Sequence, residues 1–396
     1  MTAQPDFTQE PSNQTAPTLP IDVVIPWVDD SDPAWRAERD KYLRRGSPKK
    51  HKLRNFDNGA DRFRSWDNLE YIFRGLEKYM PWVRKIHLVT NGQLPSWLNL
   101  AHPKLNFVKH SDYIPTEFLP TFNSHTIELN LHRIPDLAER FIYFNDDTFV
   151  IRPMKPSDFF SVKEGLPRDQ FGLWRVKTVK YNSILPHVCL NNMAVLNQNF
   201  KQRQVLREQR AKLYDPRNGL TCITLTALMS IISHKHFANI LFHHMPAAFL
   251  KQTFKDVWAA EPDILANTSA QKFRSKDDVS QYLIRAWQML SGNFEPRNFV
   301  AHGEHFTYLT KDFSLLTQAI RSQQLRGRRL EMFCVSDEKI KDFERAKFEI
   351  NAALEQHLSK VSAFEIRERR GEAVDAAEAE SEDVLNKGVI LQGLQG

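Results

Sequence analysis

The segment Phe141-Ile-Tyr-Phe-Asn-Asp-Asp-Thr-Phe-Val150 constrains this chain more than any other. Four apolar or aromatic residues run straight into Asn145, Asp146 and Asp147, and apolar residues resume at Phe149. A continuous apolar run of this kind reads as a buried strand. Carboxylates at its end are costly to bury unless they are paired or hold a metal or a polar ligand. In open α/β sheets, ligands sit at the carboxyl ends of strands. The segment therefore predicts the floor of an active site for a metal-bound, phosphate-bearing ligand.

A second apolar run, Ile21 to Val28, ends in Asp29, Asp30 and Asp32 before Pro33. Carboxylates there suit a divalent metal, a ribose or a base edge, or simply a solvated turn. Leu69, Ile72, Phe73, Leu76, Tyr79 and Met80 follow helical spacing, which predicts a helix over 66–80 with Ser65 as its cap and Pro81 as its stop. Short strands follow at Ile86–Val89 and Leu105–Val108, then a helix over 124–138 and the strand 141–144. Strands alternating with helices imply an α/β fold with parallel strands. Beyond residue 155, helical patterns recur at 199–213, 221–233, 247–259, 277–291 and 338–357. Residues 1–20 read as a disordered leader and 366–396 as a flexible acidic tail. Between them, 21–365 is expected to form one catalytic domain: an α/β part at 21–155 and a mainly helical part at 156–365.

The net charge is +6. It suits an anionic partner, and no zinc-finger, helix-turn-helix or RNA-binding signature points to nucleic acid. Cys189, Cys222 and Cys334 lie far apart with no C-x-x-C pair, so reduced and mostly buried thiols are expected. The polar leader has no basic and apolar signal-peptide pattern, and the apolar stretch from Thr221 to Ser233 is too short to span a bilayer. These features point to the cytoplasm, and leave room for peripheral contact with the inner face of the plasma membrane.

Further along, Arg62 and Arg64 precede the first amphipathic helix, and Arg is suited to bidentate phosphate contact. Asn123 or Ser124 would cap the helix at 124, where helix N-termini attract anions. Glu128, four residues past Ser124, misses capping-box spacing and stays available to a site. His243-His244-Met-Pro246 offers a proton carrier near neutral pH. Lys272-Phe-Arg274-Ser-Lys-Asp-Asp278 opens another helix. Each of these fits an ordinary loop or cap when taken alone; their joint order is informative.

That order resembles the Stealth family of sugar-phosphate transferases. The first family block is similar to Ile21 through Pro33. The second covers Arg62-Phe-Arg64, Pro81 through Leu98, Leu119 through Ser124, Ile127-Glu128 and Phe141 through Asp147. The third matches His244-Met-Pro246 and Phe273 through Asp278. The fourth departs from the usual Asn-Asp or Asp-Asp, with Ser336-Asp337-Glu338 in its place. The resemblance implies a Rossmann-like, glycosyltransferase-A-like sheet with a largely helical C-terminal half. It implies transfer of a hexose-1-phosphate (an N-acetylhexosamine-1-phosphate) from a UDP-sugar to a hydroxyl of an acceptor saccharide. UMP would leave, in capsule or exopolysaccharide synthesis, with the capsule export machinery as a neighbour. It marks Asp147, His244 and Arg274 as catalytic. Asp29, Asp32, Arg62, Asn123, Ser124, Glu128 and Asn145 would line the substrate pocket, and Asp146 and Asp147 would hold Mg²⁺ or Mn²⁺. Two other readings are a conventional metal-dependent glycosyltransferase that releases UDP, and a non-catalytic saccharide-binding component.

Overall fold

A computed structural model describes residues 19–45, 64–176, 179, 183–233, 235–307, 313–336 and 340–366. Arg62, Asp337 and Glu338, along with most of the leader and the tail, lie outside the described residues.

The central sheet has five strands: β1 (Ile21–Pro26), β2 (Ile86–Thr90), β3 (Leu105–Lys109), β4 (Arg140–Tyr143) and, further along, Ala247–Leu250. The short strands β5 (Thr148–Val150) and β6 (Arg168–Asp169) intervene, so Ala247–Leu250 is β7. The order is β3-β2-β1-β4-β7. The first four run parallel, and β7 lies antiparallel on the outer edge of β4. The expectation of parallel strands thus needs one correction, because 247–250 is a strand and not the start of a helix. Its Ala-Ala-Phe-Leu sequence lines up against Tyr143, Ile142, Phe141 and Arg140, and that pairing outweighs the helical propensity of alanine.

From β1 the chain moves outward to β2 and β3, then returns to the other side of β1 as β4. The order reverses between β1 and β4, so a crevice opens at their carboxyl ends. Alternation divides the buried residues between two cores, one on each face. Val23, Ile25 and Ile142 face one core, while Val24, Phe141 and Tyr143 face the other.

A smaller sheet places β8 (Glu295–Pro296) beside β6, and another joins β5 to two later strands. These are β9 (Gly303–Phe306) and, after the β10 (Gln324–Leu325) and β11 (Arg328–Arg329) hairpin, β12 (Met332–Val335). In this sheet Cys334 sits opposite both Thr148 and His305. Sequence reading missed it because its strands are short and far apart in the chain.

The helices are α1 (Pro33–Arg45), α2 (Leu69–Tyr79), α3 (Ser124–Leu129), α4 (Pro156–Phe159), α5 (Ile184–Asn199), α6 (Gln202–Glu208), α7 (Arg210–Leu213) and α8 (Leu220–Ile232). They continue with α9 (Lys251–Ala260), α10 (Pro262–Ala270), α11 (Gln281–Leu290), α12 (Ser314–Ser322) and α13 (Phe343–His357). α2 starts at Leu69 after Asn68, not after Ser65, whose hydroxyl instead accepts from the Asp67 N–H. Gly75 lets α2 press onto β5: a Cβ there would come within 2.6 Å of the Val150 carbonyl oxygen. The expected helix over 124–138 is only α3 plus a 3₁₀ turn. α5 and α12 were not foreseen.

Two buried charge clusters brace this frame. Asp22, at the amino end of β1, accepts from Arg84, His87, the Lys85 N–H and the Ala138 N–H. Arg74 of α2 grips Glu365 through two hydrogen bonds of 2.9 and 3.0 Å, tying the end of the described chain to the first core.

Candidate active site

The crevice at the carboxyl ends of β1 and β4 is a continuous cleft. One half is lined by Arg64, Asn68, Asp147 and His244, the other by Trp35, His110, Ser124, Glu128 and Tyr143, and Trp27 lines both. Asn145, Asp146 and Arg274 line both halves. The apolar strand β4 carries its last side chains into the two cores, and the chain then turns between β4 and β5. That turn exposes Asn145 to Asp147 to the cleft.

Asp147 and His244 face each other there, with Nε2 and Oδ2 3.8 Å apart. The Asn145 amide lies 3.2 Å from the same nitrogen, and Nδ1 of His244 is 3.1 Å from the Tyr282 hydroxyl on α11. Thr148 donates its hydroxyl to Asp147 Oδ1 at 3.3 Å. Burial alone would push the Asp147 carboxyl up, but His244, assisted by the Cys334 thiol and His305, holds it below the ordinary value. Burial pulls His244 down, and Asp147 more than offsets this, so its pKa rises. The two shifts are opposite in direction, and each favours the charged form of its group. His305 stacks 4.8 Å from His244, and burial and the neighbouring imidazole lower it to about 4. It therefore stays neutral beside the charged pair.

Arg274 enters from the loop before α11. Its Nε and Nη2 donate to Ser124 Oγ at 3.2 and 2.7 Å, which holds the guanidinium at the N-terminus of α3. Behind it, Asp278 accepts from Asn123, the Ser275 N–H and His125. Asn123 also caps α3 by accepting from the His125 N–H. A buried polar brace thus fixes the two loops that carry Ser124 and Arg274. Glu128 sits deeper, where it accepts from the Tyr143 hydroxyl at 3.3 Å.

The structure brings Asn145, Asp146, Asp147, His244, Arg274, Ser124 and Glu128 to one cleft. Asn123 does not reach it: it is fully buried and acts as a brace. Asp32 is the N-cap of α1, accepting from the Ala34 and Trp35 N–H groups and from Gln93. Asp29 holds an Asx turn to Ser31 and faces an adjoining hollow with Ser65 and Trp97. Arg62 lies outside the described residues, while its neighbour Arg64 lines the cleft. Sequence reasoning missed Trp27, Tyr282, His305 and Cys334. Trp27 had a signal, since it follows β1 immediately; the other three sit in ordinary-looking helix and strand contexts.

Asp146 and Asp147, with the Asn145 amide oxygen available, form a set of hard oxygen donors. Such a set suits Mg²⁺ that shares its remaining positions with water and phosphate.

The Stealth conserved region 1 profile matches residues 19–47 and that of conserved region 2 matches 62–167. The capsular polysaccharide phosphotransferase WcwK of Streptococcus pneumoniae is 35% identical over 87% of this chain and 98% of its own. The receptor polysaccharide phosphotransferase WefC of Streptococcus oralis is 32% identical over 87% of this chain and 99% of its own. The exopolysaccharide phosphotransferase cps2G of Lactiplantibacillus plantarum is 32% identical over 89% and 98%. Among solved structures, the galactosyltransferase LgtC with donor and acceptor sugar analogues matches at a TM-score of 0.33 and 9% identity, over 84% of this chain and 95% of that one. At that TM-score the fold assignment rests on this chain's own strand order. The chain belongs to the Stealth family and, within it, to the phosphotransferases.

Proposed function

We propose that this enzyme moves a hexose-1-phosphate from a UDP-sugar to a hydroxyl of an acceptor saccharide, releasing UMP, in capsule or exopolysaccharide synthesis. The observation that carries the reading is the placement of the Asp147–His244 pair in the same cleft as Arg274, at the switch point of the sheet. Phosphoryl transfer asks for positioning and charge stabilisation more than for covalent chemistry. The phosphotransferase names of the relatives fit the same class.

Arg274 is the cation for the transferred phosphate, presented in a fixed orientation by Ser124. The acceptor hydroxyl loses its proton to the Asp147–His244 pair, where Asp147 takes it directly or His244 takes it once it is neutral. Glu128 and Tyr143 reach the half of the cleft suited to a sugar. When bound at Asp146 and Asp147, Mg²⁺ or Mn²⁺ would neutralise the pyrophosphate charge. Trp27 offers an indole face beside β1 on which a base can stack.

The test is to incubate the protein with a panel of UDP-sugars and oligosaccharide acceptors and identify the nucleotide released. Acceptor-dependent UMP, together with a phosphodiester signal in ³¹P NMR of the product, is expected. Release of UDP alone would replace the reading with a conventional glycosyltransferase. A chelator should abolish turnover and added Mg²⁺ or Mn²⁺ restore it; full turnover in excess chelator would reassign the two carboxylates as bases or sugar ligands.

A further inference from the structure

Helix α8 is turned inside out. Its sequence, Leu220-Thr-Cys-Ile-Thr-Leu-Thr-Ala-Leu-Met-Ser-Ile-Ile232, contains no charged residue. The residues it buries are Cys222 and Thr226. The Cys222 sulfur accepts from Gln170 Nε2 at 3.4 Å, and the Thr226 hydroxyl accepts from the Leu173 N–H at 3.1 Å. Met229 packs against the second core, but four large apolar side chains point outward: Leu220 is 77% exposed, Leu228 52%, Ile231 76% and Ile232 64%. At 100° per residue these four fall with Thr221, Thr224 and Ala227 on one continuous stripe. A surface helix normally buries such a stripe, and a contiguous exposed one marks an interaction site. None of these residues lines the cleft.

The surroundings are basic. From 201 to 235 the chain has seven Lys or Arg residues against two acidic ones, Glu208 and Asp215. Lys201, Arg203, Arg207, Arg210 and Lys235 are exposed. The acidic Asp215 is already engaged by Arg217 at 2.8 Å. The Tyr214 hydroxyl lies 3.5 Å from Ser230 Oγ of α8, and exposed Arg217 and Lys235 stand three residues before the first and three after the last residue of α8. An uncharged apolar stripe on an exposed helix, set in a basic segment of the chain, fits a helix lying in an anionic lipid interface. At 13 residues α8 is too short to cross a bilayer. A second copy of the chain would bring the same cations against these, which disfavours self-association through this face.

We propose that the outward face of α8 docks on an anionic lipid bilayer, with its Leu and Ile side chains among the headgroups and the flanking Lys and Arg at lipid phosphates. The test is flotation of the full chain with phosphatidylcholine vesicles and with vesicles that also contain phosphatidylglycerol. The protein should float with the anionic vesicles, much less with the neutral ones, and lose binding as salt rises. The double variant Ile231→Glu/Ile232→Glu should lower vesicle affinity at least about tenfold, with an unchanged melting temperature. Leu228→Glu provides a second disruption, and Arg203→Glu/Arg207→Glu should weaken binding to the anionic vesicles alone. The proposal is overturned if the native chain does not float, or if it floats equally well with Glu at 231 and 232. A concentration-dependent dimer that those substitutions split would overturn it too, by giving the face to a second copy.

Discussion

His243 and His244 are consecutive, each is paired with an aspartate, and their environments are opposite. His243 is locked behind the cleft with Asp169 of β6 and Arg285 of α11. Arg285 grips both oxygens of Asp169 at 2.6 and 2.5 Å and also bonds His243 Nε2. Burial and the adjacent guanidinium lower His243 to about 4, so it is a neutral wedge at working pH. His244 faces the cleft, and Asp147 raises its pKa against the effect of burial. The cluster gripped by Arg285 is architecture. The loosely joined pair, with room beside it for a substrate, is equipped to exchange a proton. A buried carboxylate and histidine do not define a site; what they leave unoccupied does.

The largest expected effect lies on the side gripped by Arg285. Asp169→Ala leaves Arg285 buried without its counter-charge, which costs about 3–5 kcal/mol of stability. Thermal unfolding should show it as a large drop in melting temperature, and an unchanged value would break the contrast. On the open side, Asp147→Asn, His244→Ala and Arg274→Ala should each lower turnover at least about a hundredfold. Circular dichroism should show these variants folded; near-normal turnover in any one of them removes that residue from the chemistry.

The two histidines also predict opposite responses to pH. The folded pKa of His243 is lowered, so the unfolded chain binds its proton first. Its stability contribution is full above the unfolded value of about 6.5 and is lost as pH falls toward about 4. The folded pKa of His244 is raised, so its contribution is full below the unfolded value and is lost as pH rises through the folded one. If turnover requires neutral His244, the acidic limb of the rate profile lies above about pH 6.5. Asp147→Asn removes the raising partner and leaves burial, so residual activity should show that limb moved to lower pH. Tyr282→Phe, which removes the hydroxyl at Nδ1, should cost about 1 kcal/mol, or several-fold in rate, and also move the limb. A rate loss with the limb unmoved would reduce Tyr282 to a packing role.

The smallest effect is assigned to a residue once placed in the pocket. Asp32→Ala should cost about 1 kcal/mol of stability through the lost cap of α1 and leave turnover nearly unchanged. A large loss of turnover with normal stability would return Asp32 to the substrate.

Much of the frame follows from local pattern. The apolar runs of β1, β2 and β4, the spacing of α2 and the strand-to-acid transition at Asn145 are consequences of period and burial, and they can be read in the linear chain. So can Asp147, His244 and Arg274, through the order of their segments. Local pattern could not tell a carboxylate that caps a helix from one that meets a ligand. Asp29 and Asp32 share composition with Asp146 and Asp147, but the Asp29 carboxylate accepts from the Ser31 N–H and that of Asp32 is taken by Gln93 and the start of α1. Nor could it separate His243 from His244, since the difference is whether Asp169 or Asp147 meets each imidazole. The antiparallel β7, the small sheet that places Cys334 and His305 beside the pair, and the brace through Asn123 and Asp278 all join residues far apart in the chain. Periodicity reports only which face of an element is buried, whereas pairing distant elements decides what that face meets. The sequence alone therefore determined the parallel strands, the acidic strand end and the segments that carry the candidate side chains. Tertiary structure decided which of them are spent on architecture and which are left open to the cleft.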